Sequence, residues 1–195
     1  MYTESGTPIL LIDMDGVLAD FDAEIIKRVK DRHPSINLLE TRDNFYFSDD
    51  YPEYKTVIRA ISNEPGFFAS LPLIDHAITG WQRIVDLGYH PRICSSPIRS
   101  NSRSELEKRA WLERHFGIEV ANEAIITSDK YLHPGIALID DRPELRNATE
   151  AAWQHIIFDQ PYNHHGVNKL RIRGWLDETL PATLKAAEAL HAKHS

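Results

Sequence analysis

Apolar residues fall along this chain in two rhythms. Short apolar runs within 8–13, 124–127, 136–139 and 155–158, with the stretch 89–94 ending in Ile93-Cys94, predict short buried strands. Between them, apolar positions recur at three- and four-residue steps and predict helices. Phe21, Ile25 and Val29 mark one, ended by His33-Pro34. Ile78, Trp81, Ile84 and Val85 mark another, closed by Gly88; Leu106, Ala110 and residues 113–116 mark a third, closed by Gly117. A helix started by Pro143 is predicted around 143–152, and Leu180, Leu184, Ala187 and Leu190 mark a closing one. Strands alternating with helices argue for an α/β fold with a Rossmann-like, doubly wound parallel sheet.

Residues 35–75 break this alternation. They hold Phe45-Tyr46-Phe47, a helical stretch near 53–62 and Phe67-Phe68, punctuated by Pro52, Pro65-Gly66 and Pro72. The expected organisation is a core of residues 1–17 and 77–195, with a small helical cap, 18–76, inserted after the first strand. At 195 residues the chain can bury one good core with such an insert. Neither repeats nor low-complexity tracts interrupt it.

Composition narrows the partners. A formal net charge of -7 argues against a binder of polymeric nucleic acid, but not against small phosphorylated ligands, for which a few local cations and a metal suffice. The single cysteine, Cys94, permits no intrachain disulfide and fits a reducing, cytoplasmic compartment. Lying in an apolar run, it reads as a small core residue. No apolar run approaches membrane-spanning length, and the N-terminus lacks the order of a secretory signal, so no membrane association is expected.

Chemistry gathers where the strands end. The first runs straight into Asp13-Met14-Asp15-Gly16, and ligands of open α/β sheets bind beyond the carboxyl ends of their strands. One Asp there is more simply a loop residue or a helix cap. Matching pieces follow at three other strand ends. Ser95 and Ser96 offer hydroxyls and backbone N–H groups to phosphate oxygens, where a plain serine turn is the simpler reading. Ser128-Asp129-Lys130 supplies a point charge, and Asp140-Asp141 a carboxylate pair that is costly unless neutralised. One of that pair could cap the helix begun at Pro143; a divalent cation explains both. Taken jointly, these groups are what phosphoryl transfer needs: a placed nucleophile, Mg²⁺ on oxygen ligands, and cations against the phosphate. His133 and the His164-His165 pair lack a carboxylate at ligand spacing and are read as solvated.

The order of these pieces resembles the four motifs of the haloacid dehalogenase (HAD) superfamily. The longer strings around Asp13–Phe21, 94–98, Asp129-Lys130, 139–143, 111–117 and 153–158 resemble the 5'(3')-deoxyribonucleotidase family over nearly the whole chain. The resemblance implies a Mg²⁺-dependent phosphomonoesterase acting on (deoxy)nucleoside monophosphates. Asp13 would be the nucleophile that becomes an aspartyl-phosphate, and Asp15 the acid and base. Mg²⁺ would be held by the Asp13 carboxylate, the Asp15 main-chain carbonyl and Asp141, with Asp140 in support. Ser95, Ser96 and Lys130 would hold the phosphate. Phe21, Phe45 and Tyr46 would line the nucleoside pocket, whereas Phe47, Phe67 and Phe68 are read as core. A homodimer is compatible with the resemblance. The chain departs from the family pattern in one respect: its four tryptophans, at 81, 111, 153 and 175, all lie outside the cap, and Tyr46 stands where the family carries one. A phosphatase with the same core motifs acting on a sugar phosphate or another small phosphoester is the alternative reading, ahead of a non-enzymatic phosphate-binding protein.

Overall fold

The computed structural model describes residues 1–39, 41–164 and 170–194. Six strands form one parallel sheet: β1 (Ile9–Ile12), β2 (His90–Ser95), β3 (Ile125–Ile126), β4 (Ala137–Asp140), β5 (Gln154–Phe158) and β6 (Leu170–Ile172), in spatial order β3-β2-β1-β4-β5-β6. Their side chains are buried on both faces in β1 and β4, as the unbroken apolar runs require. Ile12 lies level with Ile93 of β2 and Ile139 of β4. This register brings Asp13, Ser95 and Asp140 out at one edge of the sheet. The strand order reverses at β1, so that edge is also the topological switch point.

Among the described residues the helices are α1 (Phe21–Arg32), α2 (Phe47–Asp50), α3 (Lys55–Ser62), α4 (Ala77–Asp86), α5 (Ser104–Phe116), α6 (Ile118–Glu123) and α7 (Leu180–His194), of which α1 to α3 lie between β1 and α4. Asp20 starts α1 by accepting the Ala23 N–H at 2.9 Å. The helix predicted around 143–152 does not form. The segment is a series of turns with one 3₁₀ turn at Ala148–Glu150, preceded by Asn147 in the left-handed region at φ 53°. A left-handed residue breaks a helix, and here it lets Leu145, Ala148 and Ala151 fold back on Trp153. Neither Asp of the carboxylate pair therefore caps a helix. Strand β6 and helix α6 escape the apolar pattern because each is short and carries charge or polar residues within it.

Chain enters and leaves the segment between β1 and α4 on two adjacent legs. The Asp20 N–H donates to the Pro72 carbonyl and the Ile74 N–H to the Leu18 carbonyl, each at 2.8 Å, around an antiparallel bridge between Ala19 and Leu73. Helix α5 fastens the outgoing leg. Glu107 accepts the Gly66 and Phe68 N–H groups at 2.7 and 3.1 Å, and the Trp111 indole donates to the Leu71 carbonyl at 2.7 Å. One apolar cluster runs from Leu10, Ile93 and Ile139 of the sheet to Phe47, Ile58, Phe67 and Phe68. Trp175 donates likewise to the Val17 carbonyl and Trp153 to that of Lys130, so three tryptophans each tie a loop to the core.

Candidate active site

Asp13 is buried at the end of β1. Its Oδ1 accepts the N–H of Met14 at 2.7 Å, and its Oδ2 lies 2.7 Å from Lys130 Nζ. The same ammonium reaches Asp140 Oδ2 at 2.6 Å, while Asp140 Oδ1 accepts the N–H of Arg142 at 2.9 Å. Lys130 thus bridges the ends of β1 and β4. Asp141 follows, its Oδ2 accepting the Tyr162 hydroxyl at 2.5 Å. One carboxylate oxygen each from Asp13, Asp140 and Asp141 falls within 4.8 Å of the others, and all three residues are buried. Packing this tight requires Gly16: at φ 74°, a Cβ there would stand 2.3 Å from Asp141 Oδ2.

On the other side stands Lys108, wholly buried on α5. Its ammonium donates to Asp15 Oδ2 at 2.7 Å, to Ser95 Oγ at 2.9 Å and to the Ser96 carbonyl at 2.7 Å. Asp15 Oδ1 is buried and has no hydrogen-bond partner among the described residues. The two carboxyls of the pair are therefore pushed apart. Burial raises Asp13, but Lys130 and Lys108 outweigh it and hold the group below the usual carboxylate range. Burial also raises Asp15, and with the charge of Asp13 beside it this prevails over Lys108, so Asp15 titrates above that range. Asp140 is pushed up to about 6 by burial against the pull of Lys130, and Asp141 goes well above the usual range through burial and the charges of Asp140 and Asp13. The acidic cluster is undercompensated by the two lysines and calls for further positive charge.

These groups open into a cleft of about 530 Å³. All ten residues the sequence assigns to the site line it: Asp13, Asp15, Phe21, Phe45, Tyr46, Ser95, Ser96, Lys130, Asp140 and Asp141. Phe47 is buried as expected of a core residue, yet it too reaches the cleft wall; Phe67 and Phe68 are fully buried. Tyr46 is half exposed at the mouth, and its hydroxyl accepts from Arg142 at 2.5 Å. Lys130 reaches the site as predicted, but in this structure its partners are carboxylates.

Four residues went unassigned in the sequence. Lys108 carries a signal: it shares a helical stripe with Ser104, Trp111 and Leu112, so a lysine falls on a core face, while Leu106 points to solvent. Arg42, buried on the incoming side, is held by Asp22 and lies 3.6 Å over the Tyr162 ring. Tyr162 reads as part of a polar loop, and Arg142 as a flank of the carboxylate pair. Of the histidines, exposed His164 pairs with Asp159 at 3.2 Å, and His165 lies outside the described residues.

Comparison with known proteins places the chain in a family. The sequence model of the family described as 5' nucleotidase, deoxy (pyrimidine), cytosolic type C matches residues 7–187. A provisionally named 5'(3')-deoxyribonucleotidase of Bordetella pertussis is 40% identical over 172 residues, covering 86% of this chain and 92% of its own. The human cytosolic-type 5'(3')-deoxyribonucleotidase is 33% identical over 179 residues, covering 86% of this chain and 89% of its own. Among solved structures, a HAD family hydrolase from Deinococcus radiodurans with bound phosphate and sodium shares the fold, with a TM-score of 0.53 at 16% identity over 95% of this chain and 96% of that one. The chain belongs to the cytosolic type C 5'-nucleotidase family, and it is a hydrolase of phosphoric monoesters.

Proposed function

We propose that this protein is a Mg²⁺-dependent phosphatase of (deoxy)nucleoside monophosphates that works through an aspartyl-phosphate on Asp13. The observation that carries the reading is the division of the Asp13–Asp15 pair: Asp13 is held ionised between two lysines, and Asp15 titrates high with one carboxyl oxygen unpartnered. Mg²⁺ suits the donor set, which is all oxygen: the Asp13 carboxylate, the Asp15 main-chain carbonyl, Asp141 and, in support, Asp140 would hold it. When bound, the ion would offset the negative charge of the phosphoryl oxygens and help hold the phosphoryl group against Asp13.

The chain's own groups do the rest. An Asp13 carboxylate oxygen attacks phosphorus and the bond to the leaving nucleoside oxygen breaks. Asp15 delivers its proton to that oxygen, then takes one from the water that hydrolyses the acyl phosphate, freeing Asp13 and inorganic phosphate. Lys108 keeps the Asp15 carboxyl in place through both steps and aligns Ser95 with it. Lys130 is placed to turn from Asp140 toward the phosphate, joined by Ser95 and Ser96. Residues 18–76, hung over the strand ends, act as a cap that excludes water, and Phe21, Phe45 and Tyr46 give the nucleoside an apolar wall. The one buried cysteine supports a cytoplasmic setting.

A phosphate-release screen tests this. Ribo- and deoxyribonucleoside monophosphates and sugar phosphates are each assayed with Mg²⁺ and with EDTA. Nucleotides should be preferred, with deoxy forms modestly ahead, and EDTA should abolish turnover. A sugar phosphate at the head of the screen would refute the nucleoside pocket, and full activity in EDTA would refute the metal.

A further inference from the structure

The turn after β5 is more than a connection. Within Gln160-Pro161-Tyr162-Asn163, three side chains reach three different parts of the site. Gln160 donates to the Gly16 carbonyl at 2.7 Å, Asn163 donates to the Asp141 carbonyl at 2.7 Å, and Tyr162 donates to Asp141 Oδ2 at 2.5 Å. Arg171 on β6 braces the turn by donating to the Asn163 side chain and carbonyl at 2.7 and 2.8 Å. The Asp141 carboxylate is thus fixed at both ends, its main chain by Asn163 and its side chain by Tyr162.

The other face of the Tyr162 ring is covered by the inserted segment. The Arg42 guanidinium sits 3.6 Å from the ring centre and is itself pinned by both Asp22 oxygens and by the carbonyls of Asn44 and Phe45. Phe45, a wall of the cleft, meets the same ring edge-on at 5.8 Å. One phenol therefore touches a carboxylate of the metal cluster with its hydroxyl and the inserted segment with its ring.

We propose that Tyr162 is a positioning residue that sets the rotation of the Asp141 carboxylate for Mg²⁺, and that its ring ties this setting to the seating of Arg42 and Phe45. The inference rests on the Mg²⁺ reading above. A hydrogen bond from outside the ligand shell restricts the ligand to the orientation the ion uses, and losing such a partner typically costs about 10-fold to 100-fold in metal affinity.

The test is Mg²⁺ titration without substrate, read by calorimetry and by melting temperature, alongside the Mg²⁺ dependence of turnover. Tyr162→Phe, which keeps the ring beneath Arg42, should raise the half-saturating Mg²⁺ about tenfold by all three readouts. At saturating Mg²⁺ its KM for nucleotide should stay within about twofold of wild type. Tyr162→Leu, which also removes the ring, should raise KM as well. A Tyr162→Phe protein that melts lower in EDTA and turns over more slowly at every Mg²⁺ concentration, with unchanged half-saturation, would show a merely structural role and overturn the proposal. Should that variant not fold, wild-type protein carrying ¹³Cζ-tyrosine serves instead. One of the seven tyrosine resonances must move with Mg²⁺ at the half-saturation seen in turnover, and seven unmoved resonances overturn the proposal equally. Failure of the underlying Mg²⁺ reading is seen separately, as wild-type protein that binds no Mg²⁺.

Discussion

Asp13→Asn replaces the proposed nucleophile by an amide that cannot attack phosphorus, so phosphate release should fall to background while the fold persists. Asp15→Asn leaves the metal cluster intact and removes only proton transfer. Its kcat should fall by about 100-fold to 10,000-fold, most steeply for substrates with poor leaving groups, as steady-state assays with nucleotides and an activated aryl phosphate would show. Lys108→Met tests the charge beside Asp15. Lys108 pulls the Asp15 pKa down against burial. Its removal lets that pKa rise, so the basic limb of the kcat/KM–pH profile, above which Asp15 has lost the proton it must deliver, should move to higher pH. An unmoved limb would separate Lys108 from Asp15 chemistry. These carboxylates were legible in the sequence because each ends an apolar strand. Tyr162 was not, because its role depends on which turn the fold brings inward, and Lys108 was legible only through its place on the stripe shared with Trp111 and Leu112.

Helix α5 shows the same lesson for elements. Its sequence pattern suggests Leu106 inside, yet the buried stripe is Ser104, Glu107, Lys108, Trp111 and Leu112, with two charged residues among them. Both charges meet partners where they are buried. Lys108 faces the site, and Glu107 accepts the N–H groups of Gly66 and Phe68. Glu107→Ala should leave those donors unsatisfied and cost about 1–3 kcal/mol in chemical denaturation, with a raised KM if the loosened leg also unseats the cleft wall. Apolar runs located β1 to β5, and apolar periodicity most helices, most plainly where burial on both faces of β1 and β4 leaves no room for polar residues. It misjudged 143–152, where a proline and a run of helix-compatible residues are overruled by left-handed Asn147 and by the packing of Leu145 and Ala151 on Trp153.

For the whole molecule, the surplus of buried carboxylates means that the proposed Mg²⁺ would stabilise the fold as well as serve the reaction. At Mg²⁺ about 100-fold above its dissociation constant, linkage gives about 2.7 kcal/mol. For a chain of this size that is about 5–10 °C in melting temperature. Scanning calorimetry should show the shift in wild type and a much smaller one in Asp141→Asn. The paired legs at Ala19 and Leu73 bear on how quickly any of this assembles. Strand β1 must wait for partners far along the chain, since Ile9 lies beside His90 and Leu10 beside Ala137. Closing so long a loop is entropically slow. A local collapse of the inserted segment that zips residue 73 to residue 19 delivers β2 to β1 with only α4 left to close, so the zip belongs in the folding nucleus. Leu73→Gly, which frees the outgoing leg, should then lengthen the refolding half-time severalfold in stopped-flow while leaving the unfolding rate nearly untouched. The segment that shelters the cleft in the finished protein would be, during folding, the splint that lets its central strand find its neighbours.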